Sequence, residues 1–244
     1  MRRDVQAVIL ILVGGAILRI SVGDTFLNYV KESMRPWLLL SGVTLVVLGV
    51  LALIDVIRRA RRGETTEEPD PHDPVDDEGH SHVHGPRAAW LLLLPVFAIF
   101  LIAPPALGAF AAARDTTNAV PPAEAKAPPL PPGDPVDVTV ADYVGRAVWD
   151  SGLTLEGRTV QMTGFVTPNP EGGWWLTRLA LSCCAADAIA SKIQAVDAPD
   201  LPADTWVTVT GTWIPGGGTK SSTAIPLVRV QDLVEVPQPK NPYE

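Results

Sequence analysis

"TWVTVTGTWI", residues 205–214, decides the reading of the C-terminal half of this chain. Trp206, Thr208 and Thr210 fall on one side of an extended backbone and Val207 and Val209 on the other, which is the two-residue period of a half-buried strand. "GRTVQMTGFVT" (157–167) alternates in the same way, Val160, Met162 and Gly164 against Gln161, Thr163 and Phe165. "GGWWLTRLALSC" (172–183) reads as a strand leaving a Gly-Gly turn. "IPLVRVQDLVEV" (225–236) reads as a last strand with Pro226 near its start. Between them, "AADAIASKIQAV" (185–196) reads as a short helix or turn followed by an edge segment. Ahead of them, "DVTVADYVGRAVWDS" (137–151) predicts a short extended stretch and a helix over Ala141–Trp149. About five short strands, one helix and Gly-rich turns favour an all-β soluble domain over 136–244, a small closed OB-like β-barrel ahead of a sandwich.

The N-terminal half follows a different pattern. Val5–Leu18 and Trp37–Ile54 carry no charge, nor do the 26 residues Ala88–Ala113. A spanning helix needs about 20 apolar residues, so the three runs predict three membrane α-helices, two within 1–58 and a third over 88–113. The first run follows "MRR" but has no small-x-small site before Arg19, and it reads as a retained anchor. Arg2 and Arg3 precede it, and Arg58, Arg59, Arg61 and Arg62 follow the second run. Basic residues stay in the cytoplasm. The expected protein is therefore multi-pass in the cell (inner) membrane, in contact with lipid, with a cytoplasmic N-terminus and an extracytoplasmic C-terminal domain.

Residues 59–87 carry eight carboxylates and no apolar period, and they predict a cytoplasmic loop that does not fold alone. Residues 114–135 hold seven prolines, which suggests an extended spacer. From residue 115 onward there are 8 Lys/Arg against 15 Asp/Glu. An acidic, exported barrel repels a phosphate backbone, so no nucleic-acid partner is expected.

Chemistry-bearing residues fall in two places. All four histidines, His72, His80, His82 and His84, lie in the acidic loop. The alternation in "HSHVH" puts three imidazoles on one side of an extended segment, with Asp76, Asp77 and Glu78 as hard donors nearby. This points to a low-specificity metal-collecting loop, for a divalent ion such as zinc, against the plainer alternative of a solvated acidic linker.

The second place is "SCCAADA" (182–188), which holds both cysteines of the chain. Adjacent Cα atoms are about 3.8 Å apart and ordinary disulfides want roughly 4.4–6.8 Å, so Cys183 and Cys184 are expected to be unbridged. At a strand end one thiol should face inward and the other outward. A turn would let both converge with Asp187 on a soft or borderline cation. Plain burial is the alternative. Arg178 precedes the pair by five residues and is a candidate partner for Asp187 that would lower the outward thiol's pKa. The C-terminal domain has no histidine, hence no nucleophile–His–acid set, and no enzyme activity is expected. Trp174, Trp175, Trp206 and Trp213 read as structural.

"GRTVQMTGFV", "LTRLALSCCAADA", "DTWVTVTGTW" and "PKNPY" occur in this order over roughly 155–243, and in them the chain resembles the YcgQ-like permease subunits. The membrane part resembles that family in pattern more than in letters. The resemblance implies a multi-span permease as partner and a link to metal-ion or small-solute transport. It does not imply a metal at the cysteines. Two functions are therefore expected to compete: an accessory subunit of a membrane permease, or a membrane-tethered extracytoplasmic thiol redox protein or metallochaperone.

Overall fold

Two long helices begin the chain because its first two apolar runs lack a residue that would stop them. The structure, a computed structural model, describes residues 3–62, 104–118, 127–150 and 153–244. They divide into two units, one built on the N-terminal helices and one of Leu27–Glu32 with Pro105–Glu244. In the first unit, α1 (Arg3–Val22) and α2 (Arg35–Arg61) are long and apolar enough to cross a membrane. They pack antiparallel, with Gly14 against Gly42 and Ala7 and Ile11 against Gly49. A Cβ on Gly14 would sit 2.9 Å from the Gly42 carbonyl oxygen, and one on Gly49 would sit 3.0 Å from that of Ala7. Small residues here let two backbones approach as closely as helices do in lipid. Arg35 donates to the Ser21 and Val22 carbonyls at 3.2 and 3.1 Å, placing a cation on the free carbonyl end of α1.

The second unit is a barrel. Its strands are β1 (Val136–Asp137), β2 (Thr159–Pro168), β3 (Trp174–Ala180), β4 (Ile189–Val196), β5 (Trp206–Ile214) and β6 (Leu227–Glu235). Their order is β1-β2-β3-β4-β6-β5, and β5 pairs back with β2 to close a five-stranded barrel flanked by β1. All pairings are antiparallel except β1–β2 and β4–β6. The expected OB-like all-β domain is therefore what the chain forms. The 185–196 segment is not an edge: β4 pairs with β3 on one side and β6 on the other. Its own residues could not show this, because the parallel partner lies some thirty positions ahead.

Val160, Met162, Leu176, Ile193, Val207, Val209 and Val228 fill the barrel. The amphipathic helix α4 (Val140–Trp149) adds Val140, Tyr143, Val144, Ala147 and Val148 to the same core. The alternation read in "TWVTVTGTWI" holds, with Val207 and Val209 fully buried. Gly211 sits where β5 shifts register, and a Cβ there would meet the Arg229 carbonyl oxygen. A close backbone approach of this kind admits only glycine.

Residues 88–103 of the third expected span, and His72, His80, His82 and His84, lie outside the described residues. The end of that apolar run is no part of a long helix. After Pro104 and Pro105, which disfavour helix around them, a four-residue helix α3 (Ala109–Ala112) packs Ala109 and Ala112 against Phe165, Leu179, Leu181, Ala190 and Tyr243. The described parts of the proline-rich stretch are likewise bound to the barrel. Asp115 accepts from the Ala190 N–H at 2.8 Å, and the Asn118 amide bridges Lys192 and Ala224. Leu130 joins the core, and Arg146 and Arg158 donate to carbonyls of Pro128, Pro131 and Gly133. These carbonyls have no strand partner, and the buried Arg146 and the half-buried Arg158 use them.

Candidate metal centre

β3 ends at Ala180, so the cysteines lie beyond the sheet, in the loop to β4. Strand alternation does not reach them, which corrects the expected inward and outward pair: Cys183 is exposed, Cys184 is half-buried, and neither enters the barrel core. Both are free thiols. A single 3₁₀ turn, Ala185–Asp187, brings Asp187 back over the pair. Its carboxylate accepts from the Ser182 N–H at 2.9 Å, the Cys183 N–H at 2.8 Å and the Cys184 N–H at 3.4 Å.

The two sulfurs and a carboxylate oxygen of Asp187 all lie within 4.8 Å of one another. For comparison, Zn–S bonds of about 2.3 Å set tetrahedral S···S distances at about 3.8 Å. A modest closure would therefore make the three atoms ligands of one cation. Two soft sulfurs and one hard oxygen suit zinc or a softer ion better than magnesium or calcium. One or more further positions are left for solvent or a partner's donor.

The electrostatics are those of a proton-locked site. The Cys183 thiol hydrogen-bonds to Asp187 and, more weakly, to Cys184, and its pKa is pushed up to about 12. The same thiol bond, with the backbone N–H groups, holds the Asp187 carboxyl below its ordinary range. A depressed carboxyl contributes in full above the ordinary carboxylate range. That contribution is lost progressively as pH falls from this range through the lowered pKa.

Arg178 takes no part in this cluster. Its Nη2 donates to the Asn241 carbonyl at 3.0 Å and its guanidinium lies 4.8 Å from the Trp206 ring centroid. Burial lowers its pKa, and nearby Glu244 raises it in part. The proposed Arg178–Asp187 pairing, and the low thiol pKa that it would have caused, do not occur: Asp187 instead takes protons from its own loop. Arg178 lines an open cleft of ≈ 410 Å³ with Gln161, Thr163 and Glu244. Glu244 accepts from the Val140 and Ala141 N–H groups at 3.0 and 3.1 Å, capping α4 with a carboxylate. The tryptophans serve the fold: Trp174 donates to the Pro199 carbonyl at 2.9 Å, and Trp206 packs on Phe165.

Sequence reasoning missed the segment that meets the cysteine loop. Leu27–Glu32, the connection between α1 and α2, forms a bridge of Val30 with Cys184. Lys31 N–H donates to the Cys183 carbonyl at 3.1 Å and Ala185 N–H donates to the Tyr29 carbonyl at 2.7 Å. Tyr243, within the quoted "PKNPY", holds the same segment: its hydroxyl donates to the Asn28 carbonyl and accepts from the Leu107 N–H, both at 2.9 Å. Backbone pairing leaves no side-chain signature, and only the placement of Tyr243 in a quoted motif hinted at it.

Fold and loop together define a class: a chain with two apolar N-terminal helices and a small OB-like barrel that carries a vicinal thiol pair. A family model described as the DUF1980 C-terminal domain matches residues 148–244, which takes in all five barrel strands and the cysteine loop. No curated protein matches the chain, and no solved structure does.

Proposed function

We propose that this protein is the membrane-anchored accessory subunit of a permease, of the YcgQ-like kind, and that its barrel handles a soft or borderline metal cation through Cys183, Cys184 and Asp187. The convergence of three ligand atoms within 4.8 Å carries this reading. The family match over the barrel is consistent with it.

The test is purification of the tagged full chain from its host in detergent, with metal analysis and mass spectrometry of co-purifying proteins. The expected result is near-stoichiometric zinc, copper or cadmium after loading, a loss of at least about tenfold in retained metal for Cys183→Ser and Cys184→Ser, and one multi-span membrane protein held at fixed ratio. Equal retention by both variants would overturn the metal reading. Absence of a multi-span partner would overturn the subunit reading.

The orientation in this reading rests on the basic residues beside the apolar runs, and the pairing of Val30 with Cys184 supports it. With α1 and α2 both spanning, that pairing is consistent with a barrel on the same side as the α1–α2 connection, and Arg58, Arg59, Arg61 and Arg62 argue for a cytoplasmic end of α2. This reading requires the third crossing that the uncharged run 88–113 leads one to expect. A reporter active only outside the cytoplasm should be active when fused after Glu244 and silent when fused after Arg62. The reverse pattern would refute this topology.

A further inference from the structure

The loop Ser182–Asp187 stands outside the barrel's own ladder, and its backbone groups find partners from two directions. From one side, Asp187 takes the N–H groups of Ser182, Cys183 and Cys184. From the other, the α1–α2 connection takes the Cys183 carbonyl through Lys31 N–H and the Ala185 N–H through the Tyr29 carbonyl. The two bonds flank Cys184, which itself bridges Val30.

A cation held by the thiolates and Asp187 draws on the same carboxylate that organises the loop from the first side. The second frame shares no atom with the ligand set. It is also anchored independently of the loop, since Tyr243 hydroxyl holds the Asn28 carbonyl and the Leu107 N–H, and Leu27 is buried.

We propose that the connection between α1 and α2 is a built part of the metal centre, with the backbone of Tyr29 and Lys31 positioning Cys183 and Cys184 so that both sulfurs face one cation. This rests on the metal reading above. It implies that a barrel cut free from residues 27–32 is an incomplete site. It also implies that the N-terminal helices do more than anchor the domain, since the segment joining them sets the geometry of the thiols.

The test uses the full chain in detergent and cobalt(II) alone as the probe, because thiolate ligation gives a sulfur-to-cobalt charge-transfer absorption and the ligand-field bands report geometry. Lys31→Pro removes the N–H that the Cys183 carbonyl accepts and leaves Val30 in the extended conformation favoured before proline. Lys31→Ala keeps that N–H and removes only the side chain. Loss of a supporting contact around a metal ligand typically weakens affinity about 10- to 100-fold, and that is the fall expected for Lys31→Pro, with altered ligand-field bands. Lys31→Ala should match the unchanged chain. Tyr243→Phe, which frees Asn28 without touching the loop, should weaken binding in the same direction and carries the test if Lys31→Pro does not fold. Thiolate-to-cobalt absorption with the same affinity and bands in Lys31→Pro, or in Tyr243→Phe where Lys31→Pro does not fold, would overturn the positioning role alone. No thiolate-to-cobalt absorption in the unchanged chain would overturn the metal reading, and this proposal with it.

Discussion

Asp187→Asn should make Cys183 alkylate about ten- to a hundredfold faster at pH 7.4. The carboxylate accepts the thiol's hydrogen bond and is the first cause of a pKa pushed up to about 12. Asparagine keeps the shape and an oxygen for the backbone N–H groups but removes the charge. A thiol returned toward the ordinary value of about 8.5 gains roughly three orders of magnitude in thiolate fraction at this pH. Part of the gain is lost because nucleophilicity falls with pKa, with a slope of about 0.4–0.5. The residual hydrogen bond with Cys184 trims it further. Iodoacetamide kinetics resolved by peptide mass spectrometry read the rate at each cysteine, with Cys184 as the internal comparison. An unchanged Cys183 rate would mean that Asp187 does not hold the thiol proton.

Zinc affinity should climb by about 100-fold for each pH unit between pH 6 and 8. Both thiols must shed a proton to become ligands, and each proton released adds one power of ten per unit while pH stays below the thiol pKa. Asp187 adds nothing to this slope, because its carboxyl is held below the ordinary range and is already ionised. Cys184→Ser should halve the slope, to about tenfold per unit. The measurement is a competition titration against a chromophoric chelator. It is made on the chain with His72, His80, His82 and His84 replaced by Ala, so that imidazole sites with their own transition near pH 6.5 do not contribute. A pH-independent affinity would exclude thiolate ligation altogether.

Periodicity reports what happens within one segment, and there the sequence is dependable. "TWVTVTGTWI" and "GRTVQMTGFVT" announce which side chains enter a core, because alternate residues of a strand face opposite ways. Val207, Val209, Val160 and Met162 are buried accordingly. The helix expected over Ala141–Trp149 forms over Val140–Trp149. The long uncharged runs identify α1 and α2, and the adjacency of Cys183 and Cys184 marks the loop that matters.

Other features depend on where the backbone leaves the sheet and what it meets there. The cysteines escaped strand alternation because β3 stops at Ala180, three residues earlier than the apolar pattern suggests. Arg178 went to Trp206, Asn241 and the neighbourhood of Glu244, although its place five residues before Cys183 made Asp187 an apparent partner. Asp187 itself was found by its spacing, but its role as the acceptor of three backbone N–H groups needs the 3₁₀ turn that brings it back. β4 is interior because β6 joins it in parallel. The prolines between 127 and 135 line the domain because Arg146 and Arg158 reach their carbonyls. The sequence by itself therefore determined the two N-terminal helices, the barrel strands and the vicinal thiol pair. Only the tertiary structure decided that the thiols converge with Asp187 and that residues 27–32 frame them. The contacts responsible join backbone atoms some 150 positions apart, and a backbone N–H or carbonyl is the same at almost every residue, so nothing in the letters distinguishes the ones that pair.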